Sequence, residues 1–219
     1  MTRPGLLVAI ALAWVSAPAM AQDRPAQLRA AAARGDVAMV QRVIGDRTAL
    51  DAADERGQTA LLLAVAGGHT AVATALIDAG AAVNAVAANQ DTPWLLAGAL
   101  GHAAILQRML TAGPDLSLRN RYGGTALIPA CERGHVEAVA VLLTSKVDFD
   151  HVNNLGWTCL LEIVVLGDGS ARHIAVARRV LDAGANPNTA DRDGVTPLSH
   201  ARRRGFSEIA RLIAAKGGR

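Results

Sequence analysis

A threonine returns every 33 residues through the middle of the chain, at Thr59, Thr92, Thr125 and Thr158, and once more at Thr196 after a gap of 38. A second beat follows ten residues behind as Gly68-His69, Gly101-His102 and Gly134-His135; it recurs as His173 and, altered, as Gly205-Phe206. Self-similarity at this period marks an array of stacked units, each too small to bury its own apolar face alone. Between the beats the text is consistent: a small-residue helix, a glycine turn, a second apolar helix and a Gly-Ala-x-x-Asn-like exit.

Each residue type suits its place. A threonine oxygen at the start of a helix accepts the free backbone N–H groups of the first turn. Pro93 and Pro197 follow directly, at the helical position where a missing N–H costs nothing. Ala64, Ala97, Gly98, Ala130 and Ala201 are small enough to let neighbouring first helices approach closely. Second helices carry apolar residues at helical spacing, as in Val136, Val139, Ala140, Leu142 and Leu143. Gly80, Gly113, Gly184 and Gly217 stand 11 residues after the second beat, where a left-handed residue closes a helix. Arg47 and Lys146 hold that place in the first and fourth units, so unit four is expected to have a strained or reshaped exit, with Lys146 at positive φ in the strained case.

The openings Thr59-Ala60-Leu61, Thr92-Pro93-Trp94, Thr125-Ala126-Leu127, Thr158-Cys159-Leu160 and Thr196-Pro197-Leu198 strongly resemble the ankyrin-repeat family, over nearly all of the chain after its first two dozen residues. The resemblance implies an all-α solenoid of about six helix-turn-helix repeats with short β-hairpin-like connecting fingers. The repeats fall near residues 26–53, 54–86, 87–119, 120–152, 153–190 and 191–219, within a domain over 22–219. The first lacks the threonine opening and reads as an amino-terminal cap. Two departures stand out. Leu62, Leu95, Ile128, Leu161 and Ser199 occupy the place where many ankyrin units carry a histidine. Unit five has five extra residues within 167–172, expected in the turn between its two helices.

Residues 1–21 read as a signal peptide. Arg3 precedes an apolar run over 6–15, Ser16-Ala17-Pro18 breaks it, and Ala19-Met20-Ala21 offers a small-x-small cleavage site, so the mature chain is expected to begin at Gln22. The run is too short for a retained span of about 20 residues. Without Arg3 the chain holds 21 basic and 19 acidic residues, a balance that argues against nucleic-acid binding. Residues 196–219 alone carry a net charge of +5, read as a solvated end cap over an attractor of acidic partners. Cys131 and Cys159 lie on the first helices of successive units. With stacked helix axes about 8–10 Å apart and a disulfide needing Cα atoms within about 7 Å, two buried free thiols are expected.

The histidines do not suggest a metal site, because His69, His102, His135 and His173 sit on the repeat beat about 10 Å apart. Glu162 and His200 occupy the same register in successive units, four residues after their threonines, on the concave side that the resemblance implies. Such a pair could move protons, yet no Ser or Cys nucleophile accompanies it. No phosphate loop or calcium loop is present. The fingers carry a sharper signal. Arg119, Arg121, Tyr122, Val152, Asn154, Leu155 and Trp157 stand in the middle fingers, against Val86, Ala88 and Asn89 in unit three. Aromatic and arginine side chains are enriched at binding hot spots, and the chain has only six aromatics. The competing reading for Trp157 is packing on the adjoining finger; Trp94 reads as core.

These residues point to an exported scaffold that binds another protein through its concave groove and the fingers of units four and five, with Glu162 and His200 included in that surface. It is expected to be a monomer without a cofactor, periplasmic or secreted. Exported ankyrin-repeat proteins of this look occur in Gram-negative bacteria, where some are linked to peroxide defence and catalase, which is an implication of resemblance alone. The alternative is a ligand-carrying, metal-carrying or enzymatic protein using Glu162, His200 and the 167–172 insertion.

Overall fold

The computed structural model describes residues 24–45 and 50–219, so the signal-peptide reading, the Gln22 terminus and Arg47 lie outside the described residues. Among those described are twelve α-helices and no strand. They run α1 Arg24–Arg34, α2 Val37–Val43, α3 Ala60–Ala66, α4 Thr70–Asp78, α5 Pro93–Leu100, α6 Ala103–Leu110, α7 Leu127–Glu132, α8 Val136–Leu143, α9 Cys159–Val165, α10 Ala171–Asp182, α11 Pro197–Arg203 and α12 Ser207–Ala215. Odd and even helices pair within a unit. Each odd helix also packs on the odd helix of the next unit, and each even helix on the next even one, which makes the stack. One apolar core runs its length, with Trp94 buried in it as expected.

The repeat signals have visible causes. Thr59, Thr92, Thr158 and Thr196 accept the N–H three residues on, at 3.2, 3.1, 3.3 and 3.3 Å. Gly80, Gly113, Gly184 and Gly217 all adopt positive φ. The histidine beat ties units together. His69 packs on Gly35 with Nε2 3.1 Å from the Ala33 carbonyl, His102 packs on Gly68 and His135 on Gly101. At the last interface Phe206 takes this place against Gly169.

Unit four departs from its neighbours at both ends. Its threonine does not cap: the Thr125 hydroxyl is buried without a hydrogen-bond partner, and α7 starts only at Leu127. Pro129 removes a second bond from this start. Leu63, Leu96, Glu162 and His200 each donate to the carbonyl of their unit's threonine, and a proline at this position has no N–H to give. At the exit the reshaped alternative holds and the strained one does not, for Lys146 is not at positive φ. Ser145 reshapes the turn instead, donating from its hydroxyl to the Leu142 carbonyl at 2.6 Å and accepting the Val147 N–H at 3.2 Å.

The strained non-glycine is elsewhere. Gln90, at φ 66°, is the sole described non-glycine residue with positive φ, and it occupies the finger position held in other units by Gly57, Gly123, Gly156 and Gly194. The unit-five insertion also differs from expectation, for it does not all enter the turn. α10 begins two residues ahead of His173, whereas His69, His102 and His135 immediately precede their helices, so part of the extra sequence lengthens α10 to 12 residues.

The cysteines are the plainest correction. Cys131 and Cys159 form a disulfide, with Cα atoms 5.5 Å apart, and no free cysteine is present among the described residues. The distance between helix axes does not bound the distance between residues facing each other across the gap. The same register one unit earlier joins Gly98 to Ala126, where a Cβ added to Gly98 would come 2.5 Å from the Ala126 carbonyl oxygen. At these two crossings the first helices approach closely, with a small pair at one and a covalent bond at the other.

Candidate functional site in the fingers of units four and five

The fingers are built on a repeated side-chain cap. Asp54, Asn120, Asn153 and Asp191 each stand five residues before their threonine, and the Oδ1 of each accepts the N–H groups two and four residues ahead. This turn suits Asp and Asn because their short side chains reach their own backbone. Adjacent fingers are stitched together, as where the Asn154 N–H donates to the Tyr122 carbonyl at 2.9 Å. His151 Nε2 adds a contact of 2.6 Å to the Gly123 carbonyl.

In units five and six the cap also reaches the first helix. Asn153 Nδ2 donates to Glu162 Oε1 at 2.9 Å, and Asp191 Oδ2 lies 2.7 Å from His200 Nε2. Glu162 and His200 therefore do not pair with each other. Each is held by the Asx residue of its own finger, and His200 Nδ1 also lies 3.0 Å from an Arg203 nitrogen. The acid–base pair imagined for catalysis is replaced by two separate ties of finger to helix. No group of three or more His, Cys, Asp or Glu among the described residues could hold a metal ion.

A cavity of about 260 Å³ opens between the fingers and first helices of units four and five. Ile128, Pro129 and Glu132 wall it on the α7 side, Asn153 and Glu162 on the other, and Tyr122, Leu155 and Leu166 line its apolar parts. The disulfide joins α7 and α9, the two helices that bear these walls. Glu162 is 3% exposed, and its second oxygen, Oε2, is buried with no hydrogen-bond partner. Burial first, then the Glu132 carboxylate, push its pKa up to about 7 against the pull of the Asn153 amide. Arg121 and Arg133 also border the cavity but are engaged elsewhere. Arg121 lies 4.8 Å over the Tyr122 ring with Asp91 nearby, and Arg133 donates to the Ala99 carbonyl.

The sequence-predicted surface residues fall into three groups. Tyr122 at 52%, Val152 at 47% and Leu155 at 47% are exposed, as are Arg121 and Asn154. Arg119 is half-buried and bonds to the Leu116 and Leu118 carbonyls. Trp157 is half-buried too and packs against the core. His200 belongs to the next unit and does not line the cavity. Val86, set in contrast to these residues in the sequence, is itself 55% exposed. Sequence reasoning missed Asn153, Glu132 and Leu166. The recurrence of Asp or Asn five residues before four of the threonines was the available signal for Asn153; nothing periodic marks the other two.

Comparison with known proteins agrees with this architecture. The model of ankyrin repeats in three copies matches residues 28–120 and 94–191. A domain from Acinetobacter baumannii AYE, solved as an ankyrin repeat domain, is 49% identical with a TM-score of 0.83, covering 88% of this chain and 98% of that one. The ankyrin repeat protein EF0377 is 38% identical with a TM-score of 0.82, covering 86% and 96%. The ankyrin repeat protein YahD of Escherichia coli (strain K12) is 47% identical over 57 residues, which is 26% of this chain and only 28% of that relative's length. The chain belongs to the ankyrin-repeat family, whose repeats are protein-interaction modules. No described helix is long and apolar enough to cross a membrane.

Proposed function

We propose that this protein is an exported scaffold that binds another protein through its concave groove and the fingers of units four and five. The observation that carries the reading is the placement of exposed apolar side chains. Of five large ones among the described residues, Tyr122, Leu155 and Leu166 border a single cavity and Val152 shares the unit-five finger. Such a cluster on an otherwise polar surface is the usual mark of an interaction site. Export is supported by the cleavable pattern over residues 1–21 and by the Cys131–Cys159 disulfide, a bond that persists in oxidising compartments. The peroxide-defence association implied by resemblance makes a catalase the first partner to test.

The experiment is quantitative binding of a partner captured from the cell envelope, comparing parent, Tyr122→Ala and Leu155→Ala, each checked by circular dichroism. Loss of at least about 2 kcal/mol, roughly thirtyfold in affinity, is expected for one or both. Unchanged affinity in both variants would place the interface elsewhere. Amino-terminal sequencing of the natively expressed protein tests export, with Gln22 expected and an intact Met1 contradicting it.

A further inference from the structure

We propose that the cavity between units four and five is a receptor for a lysine side chain, whose ammonium group bonds to Glu162 Oε2 while its aliphatic stem lies along Tyr122, Leu155 and Leu166. The proposal rests on the scaffold reading for the source of the lysine, but not for the chemistry of the cavity. Its carrying observation is the unpartnered oxygen: a side chain only 3% exposed lines the cavity and holds, just behind its wall, one carboxylate oxygen with no donor to meet it. Buried polar atoms are nearly always paired, and a buried acceptor left alone marks a place for a donor.

The geometry selects the donor. Glu162 Oε1 is already occupied by the Asn153 amide at 2.9 Å. A guanidinium prefers to grip both oxygens of a carboxylate in a two-pronged bond, and that grip is blocked here. An ammonium is a point charge needing a single oxygen, with further N–H groups free for a second acceptor. Glu132 supplies that acceptor from the α7 wall, and a cation between the two carboxyls removes their mutual repulsion. Size agrees as well. At about 260 Å³ the cavity falls below the range of roughly 300–1,000 Å³ typical of small-molecule sites, and suits one long side chain.

The surrounding charges leave the ammonium favoured. Arg121 and Arg133 border the cavity, but their guanidinium groups are directed to the Tyr122 ring and the Ala99 carbonyl. Beyond α9, α11 presents His200, held by Asp191 and Arg203, and Arg204 follows it with bonds to the Val164 and Val165 carbonyls. From α10, His173 faces Asp168 and the Glu132 carbonyl. None of these reaches Glu162 Oε2. An ammonium pairs with the ionised carboxyl, which becomes the major form only above about pH 7, so affinity rises as pH passes upward through 7.

The test titrates Nα-acetyl-lysine methylamide into the isotope-labelled protein by NMR, beside the norleucine and arginine analogues. Saturable binding of the lysine probe is expected, with shifts at the Gly124, Asn153, Glu162 and Leu166 amides. The norleucine probe should bind at least about tenfold more weakly, since a charge-assisted hydrogen bond is lost. Glu162→Gln, checked for parental circular dichroism, should weaken the lysine probe to a similar degree and abolish the pH dependence. Equal binding of the lysine and norleucine probes, or no saturation by lysine, overturns the proposal. A captured partner that binds Glu162→Gln normally but fails on Tyr122→Ala overturns the lysine receptor and keeps the scaffold. Lysine-probe binding with a partner indifferent to every finger variant keeps the receptor and removes the scaffold surface.

Discussion

Replacing Glu162 by Gln should make the protein more stable at alkaline pH and leave it almost unchanged in acid. The folded state raises this carboxyl from an ordinary 4.5 to about 7, chiefly by burial. A group with a raised folded pKa holds its proton in the native state and releases it on unfolding. Its contribution is therefore fully present below about pH 4.5 and is lost as pH climbs through about 7. The difference between 4.5 and about 7 is about 2.5 units, which at about 1.36 kcal/mol per unit gives roughly 3 kcal/mol lost above neutrality. The substituted glutamine cannot ionise, its oxygen can still accept from Asn153 Nδ2, and its amide nitrogen would occupy the place of the unpartnered Oε2. Urea unfolding of parent and Glu162→Gln at about pH 5 and about pH 8.5 measures the effect. Burial also lowers His102 and His135, but both proteins carry them and they cancel in the difference. The variant should gain up to about 3 kcal/mol at the higher pH and little at the lower. A stability difference that does not change with pH would refute the reasoning.

Gln90→Gly should stabilise the fold by about 1 kcal/mol, because Gln90 is held at φ 66° where glycine carries no penalty; a loss of stability in urea unfolding would count against it. Replacing Cys131 and Cys159 together by Ala, or reducing them, should cost about 3–4 kcal/mol, the chain-entropy value for a closed loop of 28 residues. Equal unfolding midpoints with and without reductant would show that the bridge contributes nothing. Pro129→Ala should restore an N–H to the first turn of α7 and protect it from hydrogen exchange, and unchanged exchange there would remove proline as the cause of the late start of α7.

The stack is readable because its signals are local and repeated. A threonine cap, a proline at the first helical position and a glycine exit act within one turn of helix, so spacing alone reveals them. The departures from expectation arise where a bond is made by a neighbour that spacing does not mark. A missing glycine at Lys146 suggests strain, but Ser145 supplies the closing bonds through its own hydroxyl. The separation of helix axes argues against the disulfide, although Gly98 and Ala126 one unit earlier mark the close crossing. Glu162 and His200 read as a register pair, yet their actual partners sit on the fingers nine residues before each. Exposed Tyr122 and Leu155 are legible as candidates; the cavity beneath them is not. Its α7 wall includes Glu132, whose proximity to Glu162 follows from helix stacking and leaves no trace in spacing.

Site-specific photo-cross-linking tests the central claim most directly. A benzophenone side chain is placed at position 155, beside the cavity, and in a second protein at position 137, on α8 and outside it. Irradiation in the native envelope should give a discrete adduct from position 155 and none from position 137. An adduct only from position 137 would contradict an interaction surface in the fingers of units four and five.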